Sequence, residues 1–158
     1  MCGIAGFIQG KSSKININYN AVVNQMADAL EHRGPDDKGI WTDDESKIAL
    51  SYRRLAVIDL SKNGNQPMVS QNNRWIIVYN GEIYNHNQLR KNLDGSGYKI
   101  KWKGTSDTET LLACIEFWGL EKSLSKIVGM FSFSLWDKKT KRLFLARDRF
   151  GEKPLYYG

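Results

Sequence analysis

MFSFSLWDKKTKRLFLAR, residues 130–147, sets two apolar runs on either side of a charged segment. Phe131, Phe133 and Leu135 recur at every second position, the period of a strand with one buried face. DKKTK then supplies a charged turn and RLFLAR returns as a partner strand, so the pair reads as an antiparallel hairpin. Similar short runs appear at Ile48, Leu50 and Tyr52, at Leu55 and Val57, and at Trp75, Ile77 and Tyr79, each bounded by polar or glycine-bearing segments. Asn80-Gly81 is expected to end the last of these in a tight turn. Near the start, CGIAGFIQ (2–9) reads as a buried strand followed by a polar loop.

Helices intervene at only some junctions. Asn20 is a candidate N-cap for a helix carrying Val22, Val23, Met26, Ala27 and Leu30 and ending near Gly34-Pro35. Leu89 and Leu93 mark a short helix, four residues apart on one face. Ser106 and Glu109 have the spacing of a capping box ahead of Leu111, Leu112, Ile115 and Trp118, with Gly119 placed to stop that helix. This mixture fits regular βαβ winding poorly. It predicts an α+β fold, a four-layer α/β/β/α sandwich of two mostly antiparallel sheets between helix layers, in one domain over residues 1–158.

Composition narrows the function classes. Hydrophobic residues at 41% and charged residues at 25% are those of a folded globular chain. Apolar stretches fall well short of the roughly 20 residues needed to cross a bilayer, and no basic region precedes the first apolar run, so a cytoplasmic protein without a membrane span is expected. The net charge of +6 is concentrated at Lys99, Lys101 and Lys103 and between Lys138 and Arg142. The first group alternates with Tyr98, Ile100 and Trp102 like the wet face of a strand, and the second reads as a hairpin turn, so no nucleic-acid partner is expected. Two cysteines and two histidines give no zinc spacing, and no metal is expected. Cys114, on an apolar helix face, reads as core.

Cys2 is different. Removal of Met1 ahead of a small side chain would leave a thiol and an α-amine on one residue. A thiol has an unperturbed pKa of ~8.5, whereas an α-amine at ~7.7–8 has a usable neutral fraction and can take the thiol proton. Base and nucleophile then share a residue, and no histidine is required. Attack on a carboxamide creates an oxyanion, for which the side chain of Asn80 and the backbone N–H of Gly81 are candidate donors. Taken alone, Asn80-Gly81 reads first as an ordinary turn dipeptide.

MCGIAGF, HRGPD (32–36), RRLAVIDL (53–60), QPM (66–68), NGEIYN (80–85), SDTE (106–109), GMFSFSLWD and RDRFGEKPLYY together resemble, in order and from end to end, the glutaminase domain of glutamine-dependent asparagine synthetases. The resemblance implies a class II amidotransferase with the N-terminal nucleophile fold, hydrolysing L-glutamine through a Cys2 thioester. It implies Cys2 as nucleophile, Asn80 and Gly81 as oxyanion donors, and Arg54 gripping the substrate carboxylate, with the backbone around Leu55, Val57 and Ile58 lining the pocket. Glu82 and Asp107 would hold the α-ammonium. Arg33, Gly34 and Asp36 would shape a loop over the site without an assigned chemical step. No cofactor is implied for this domain.

GEKPLYYG leads, in the resembling proteins, toward a synthetase domain that uses ATP and Mg to convert aspartate to asparagine. The chain contains no SGGLDS-type pyrophosphate loop, so it is expected to be one domain of a longer protein, and a homodimer of that protein stays open. Other readings are an amidotransferase acting on another carboxylate, such as a sugar acid in surface polysaccharide synthesis, and a non-catalytic glutamine-binding module. Hexosamine phosphate synthase and the purine-pathway amidotransferase share the CGI start and the Asn-Gly pair, but RRLAVIDL and RFGEKPLYY resemble the asparagine synthetase branch.

Overall fold

The computed structural model describes residues 2–10, 12, 13, 15–56 and 62–158. One sheet has the order β1 (Gly3–Ile8), β3 (Ile48–Arg54), β2 (Asp37–Asp43). The other runs β4 (Met68–Val69), β5 (Trp75–Ile83), β6 (Gly129–Asp137), β7 (Arg142–Arg147), and every pairing in both sheets is antiparallel. Helix α1 (Tyr19–Ala29) covers the outer face of the first sheet, while α2 (His86–Asp94) and α3 (Asp107–Trp118) cover that of the second. The short α4 (Leu120–Lys126) follows α3 directly. The expected four-layer α+β sandwich is therefore present.

Period-two alternation explains the layering. In β3, Ile48, Leu50 and Tyr52 meet Ile76, Val78 and Trp136 between the sheets, whereas Arg53 on the other face donates to the carbonyl of Ala27 and to Asp28 of α1. In β5 and β6, Ile77, Tyr79, Ile83, Phe131, Phe133 and Leu135 pack under Leu89, Leu93 and the buried face of α3. Cys114 is in that core, and burial pushes its thiol up to about 12.

Several local expectations are corrected. The cap of α1 is Asn18, whose side chain accepts from the Ala21 N–H at 3.0 Å. Asn20 lies inside the helix, which ends at Ala29 before a 3₁₀ turn at Glu31–Arg33. β1 is an edge strand, with only Gly3 fully buried, because it pairs with β3 alone. Leu55 lies beyond the end of β3, and Val57 is outside the described residues. Residues 98–103 keep their alternating exposure but join no sheet, since the Lys101 and Lys103 N–H groups donate to the side chains of Gln71 and Glu109 instead of to a strand. Asn80-Gly81 is not a turn, for β5 continues through it with Gly81 opposite Phe131.

The segment after β7 is organised by one carboxylate. Asp148 Oδ2 accepts from the backbone N–H of Phe131 and Lys153, and Oδ1 from those of Phe150 and Glu152, at 2.9–3.2 Å. Burial raises the Asp148 pKa, but these donors outweigh it and hold the group at about 2. The folded value lies below the ordinary ~3.9. Asp148 therefore contributes stability above about pH 4 and loses it as pH falls towards 2. Asp148→Asn keeps one acceptor oxygen and turns an amide against the other two donors. Urea denaturation is expected to show a loss of about 1–3 kcal/mol at neutral pH and a shallower decline between about pH 4 and pH 2 than the wild type.

Candidate active site

The face of β3 that looks between the sheets reads Ile48, Leu50, Tyr52, Arg54, and the corresponding face of β5 reads Ile76, Val78, Asn80, Glu82. Both rows are apolar at one end and polar at the other. β1 enters at the polar end, because the register Gly3↔Arg53 sets Cys2 beside Arg54. The seam between the sheets opens there into a pocket lined by Cys2, Tyr52, Arg54, Asn80, Glu82 and, from the first turn of α3, Asp107. Gly81 and Leu55 also line it. Every described residue expected at the site is thus brought to one pocket. Val57 and Ile58, like Met1, lie outside the described residues.

Cys2 is half-buried, and its Sγ is surrounded by hydrogen-bonding groups. The Tyr52 hydroxyl donates to it at 2.9 Å, the Leu55 backbone N–H donates at 3.4 Å, and the thiol faces the Leu55 carbonyl at 3.5 Å. Tyr52 is 5% exposed, and burial together with the neighbouring Cys2 raises its pKa, so the phenol stays protonated and donates. The alternation of β3 also separates Arg54 from Arg53. Arg54 faces the pocket and donates to Asn65 at 2.6 Å, whereas Arg53 is tied to α1.

The outer edge of β5 carries a second pattern. β4 pairs with β5 only at Ile76 and Ile77. Beyond it, the Tyr79 N–H donates to Gln66 Oε1 at 2.6 Å and the Ile83 N–H to Asp107 Oδ2 at 2.9 Å, both away from β6. An antiparallel strand points alternate N–H groups to the same side, so the Gly81 N–H between them is also turned from β6 towards the pocket. Asp107 Oδ2 additionally accepts from the Tyr79 hydroxyl at 2.8 Å. Burial and this carboxylate raise the Tyr79 pKa well above its ordinary value. Asp107 also follows Ser106, the N-cap of α3, whose side chain accepts from the Glu109 N–H.

HRGPD is scaffolding for the two strand ends. Arg33 Nε reaches the Cys2 carbonyl at 3.5 Å, and Asp36 accepts from the Ala56 N–H at 2.8 Å. A Cβ on Gly34 would come within 2.4 Å of the Arg53 backbone, so only glycine fits that crossing. Among the pocket residues to which the sequence assigned no place are Tyr52, Gln66 and Lys153. The β3 alternation puts Tyr52 on the face of Arg54 and was a usable signal. Gln66 and Lys153 fall in the QPM and RDRFGEKPLYY stretches but carried no role there, and their positions depend on β5 and on the Asp148 loop. Among the described residues no group of His, Cys, Asp and Glu could hold a metal ion, and no helix is long and apolar enough to cross a membrane.

Residues 1–158 match the glutamine amidotransferase domain family. The chain belongs to that family. It is 39% identical to asparagine synthetase [glutamine-hydrolyzing] 2 of Bacillus subtilis (strain 168) over 99% of this chain and 20% of that protein. It is 41% identical to amidase chyE of Penicillium rubens over 99% of this chain and 24% of that protein. The chain thus spans about a fifth to a quarter of the length of these relatives. Among solved structures, the glutamine phosphoribosylpyrophosphate amidotransferase of B. subtilis, complexed with ADP and GMP, superposes with a TM-score of 0.51 at 26% identity, covering 65% of this chain and 23% of that one. The two antiparallel sheets and their helix layers are accordingly the N-terminal nucleophile hydrolase architecture of an amidotransferase.

In this amidotransferase domain Gly81 is fixed by packing as well as by its N–H. A Cβ there would lie 2.3 Å from the Met130 carbonyl and 2.6 Å from Phe131 Cα. Gly81→Ala is expected to force β5 and β6 apart and lower stability by about 1–3 kcal/mol, measured by chemical denaturation. A variant as stable as the wild type would show that the strands can separate there without cost.

Proposed function

We propose that the chain hydrolyses L-glutamine to L-glutamate and ammonia through a thioester on Cys2. The supporting observation is that Cys2, Asn80 and Gly81, whose N–H is turned from β6, line one pocket together with the cationic Arg54 and the anionic Glu82 and Asp107. Such a charge pattern suits an amino-acid zwitterion. The arginine fork matches the carboxylate, and fixed carboxylates match the ammonium. Leu55 supplies backbone beside the nucleophile.

With Met1 removed, the freed α-amine of Cys2 takes the thiol proton as sulfur attacks the side-chain carboxamide. Asn80 and Gly81 donate to the oxyanion that forms. The C–N bond then breaks, ammonia leaves with the returned proton, and water cleaves the thioester to release glutamate. The relatives named asparagine synthetase support asparagine formation as the use of the ammonia, with aspartate as acceptor; in this reading an ATP- and Mg-dependent synthetase domain of a longer protein would carry that step. The relative named as an amidase, matched just as fully, keeps another acceptor as the second reading.

The test is glutamate release from glutamine by protein whose intact mass shows that Met1 is absent. Cys2→Ala is expected to fall to background, and Asn80→Ala to lose ~100- to 1000-fold in kcat. Equal release by wild type and Cys2→Ala would rule the reading out. Arg54→Lys keeps the charge but not the two-pronged geometry, so KM for glutamine is expected to rise more than kcat falls.

A further inference from the structure

Sulfur needs help twice in the proposed cycle, once when it attacks and once when it leaves. On attack the S–C bond forms, the carbonyl π pair moves to oxygen and the thiol proton passes to the α-amine. On thioester hydrolysis water oxygen bonds to carbon as its proton passes to the α-amine, the C–S bond breaks with its electron pair returning to sulfur, and that proton then restores the thiol. In both events negative charge passes through Sγ. A donor fixed on sulfur therefore acts on both barriers, whereas Asn80 and Gly81 address only the oxygen.

We propose that Tyr52 is a further catalytic residue, its hydroxyl donating to Cys2 Sγ and stabilising the sulfur as it gains charge before bonding to substrate and after leaving it. This rests on the reading of Cys2 as nucleophile. Tyr52 pairs with Ile4 in the sheet, so it lies diagonally across from Cys2 on the same face, within reach of a long side chain. Its oxygen lies 2.9 Å from Sγ, nearer than either Leu55 backbone group. The ring belongs to the apolar seam with Leu50, Val78 and Trp136, which fixes its direction. Burial in that seam keeps the phenol protonated, so it serves as a donor and not as a second base. With Tyr52 and the Leu55 N–H on its lone pairs, the sulfur carries its own two-donor hole beside that formed for the oxyanion.

The experiment uses the full-length processed protein with Tyr52→Phe, which keeps the ring in the seam and removes only the hydroxyl. Glutamate release is expected to fall about tenfold or more in kcat, the size of a lost hydrogen bond to a charged group, while KM for glutamine stays within about twofold because Tyr52 does not hold the substrate's charged ends. A kcat within about twofold of the wild type would overturn the proposal. Fluorotyrosines of graded acidity introduced at Tyr52 keep the shape, and kcat is expected to vary with phenol acidity. A flat series overturns the proposal even if the Phe variant fails to fold. If the wild type released no glutamate, the glutaminase reading would fail by itself. Alkylation of Cys2 by iodoacetamide would then decide the Tyr52 contact, with slower reaction in Tyr52→Phe expected and equal rates overturning it.

Discussion

β4 is two residues long, and this leaves the outer edge of β5 without a strand from Val78 onward. Backbone N–H groups buried without partners are costly, so the three that face this edge must be accounted for. Two are taken by side chains, Tyr79 by Gln66 and Ile83 by Asp107. The third, on Gly81, opens on the pocket. Had β4 continued, its carbonyls would have met all three donors and no oxyanion site could form there. The catalytic reading of Asn80 and Gly81 thus rests on where a neighbouring strand stops.

The same edge explains why Asp107 is pinned and how that serves the pocket. Its carboxylate joins the N-terminus of α3 to the middle and end of β5 through Tyr79 and Ile83. A position at the start of a helix favours negative charge on its own account. The links to β5 add direction, since they fix the carboxylate relative to Glu82 and Asn80 on the neighbouring strand positions. A flexible acid on the helix terminus would bring charge without that geometry.

How much of this was legible in the sequence depended on whether the cause was local. The hairpin from Gly129 to Arg147, the helix behind Ser106 and the strand at Ile48 were visible because alternation, capping and turn chemistry lie within a few residues. β2 was not, since DKGIWTD mixes charge, glycine and a single aromatic and is a strand only by pairing with β3. The turn expected at Asn80-Gly81 failed because nine cross-strand pairs with β6 outweigh the local preference of an Asn-Gly dipeptide. In the pocket, Cys2, Asn80 and Gly81 were legible as candidates from their own chemistry, and Arg54, Glu82 and Asp107 through resemblance. For Tyr52 only its face of β3 was legible, since its bond to Cys2 spans 50 residues; Gln66 is set by Tyr79, 13 residues on, and Lys153 by an Asp148 carboxylate that is itself fixed on Phe131, 17 residues back.

Arg53 and Arg54 show how one step along a strand divides structure from chemistry. They are both buried, at 8% and 7% exposure, so burial does not separate them. The strand period does: Arg53 satisfies the C-terminal carbonyl of Ala27 and pairs with Asp28, fastening α1 to its sheet. Arg54, on the opposite face, is carried past the last apolar residue of the seam into the pocket beside Cys2. A shift of one residue in the pairing of β3 would exchange the two, placing Tyr52 and Arg54 under the helix and Arg53 in the seam. The packing of Ile48 and Leu50 against Ile76 and Trp136 forbids that shift, so the apolar core between the sheets is what sets the chemistry at their open end.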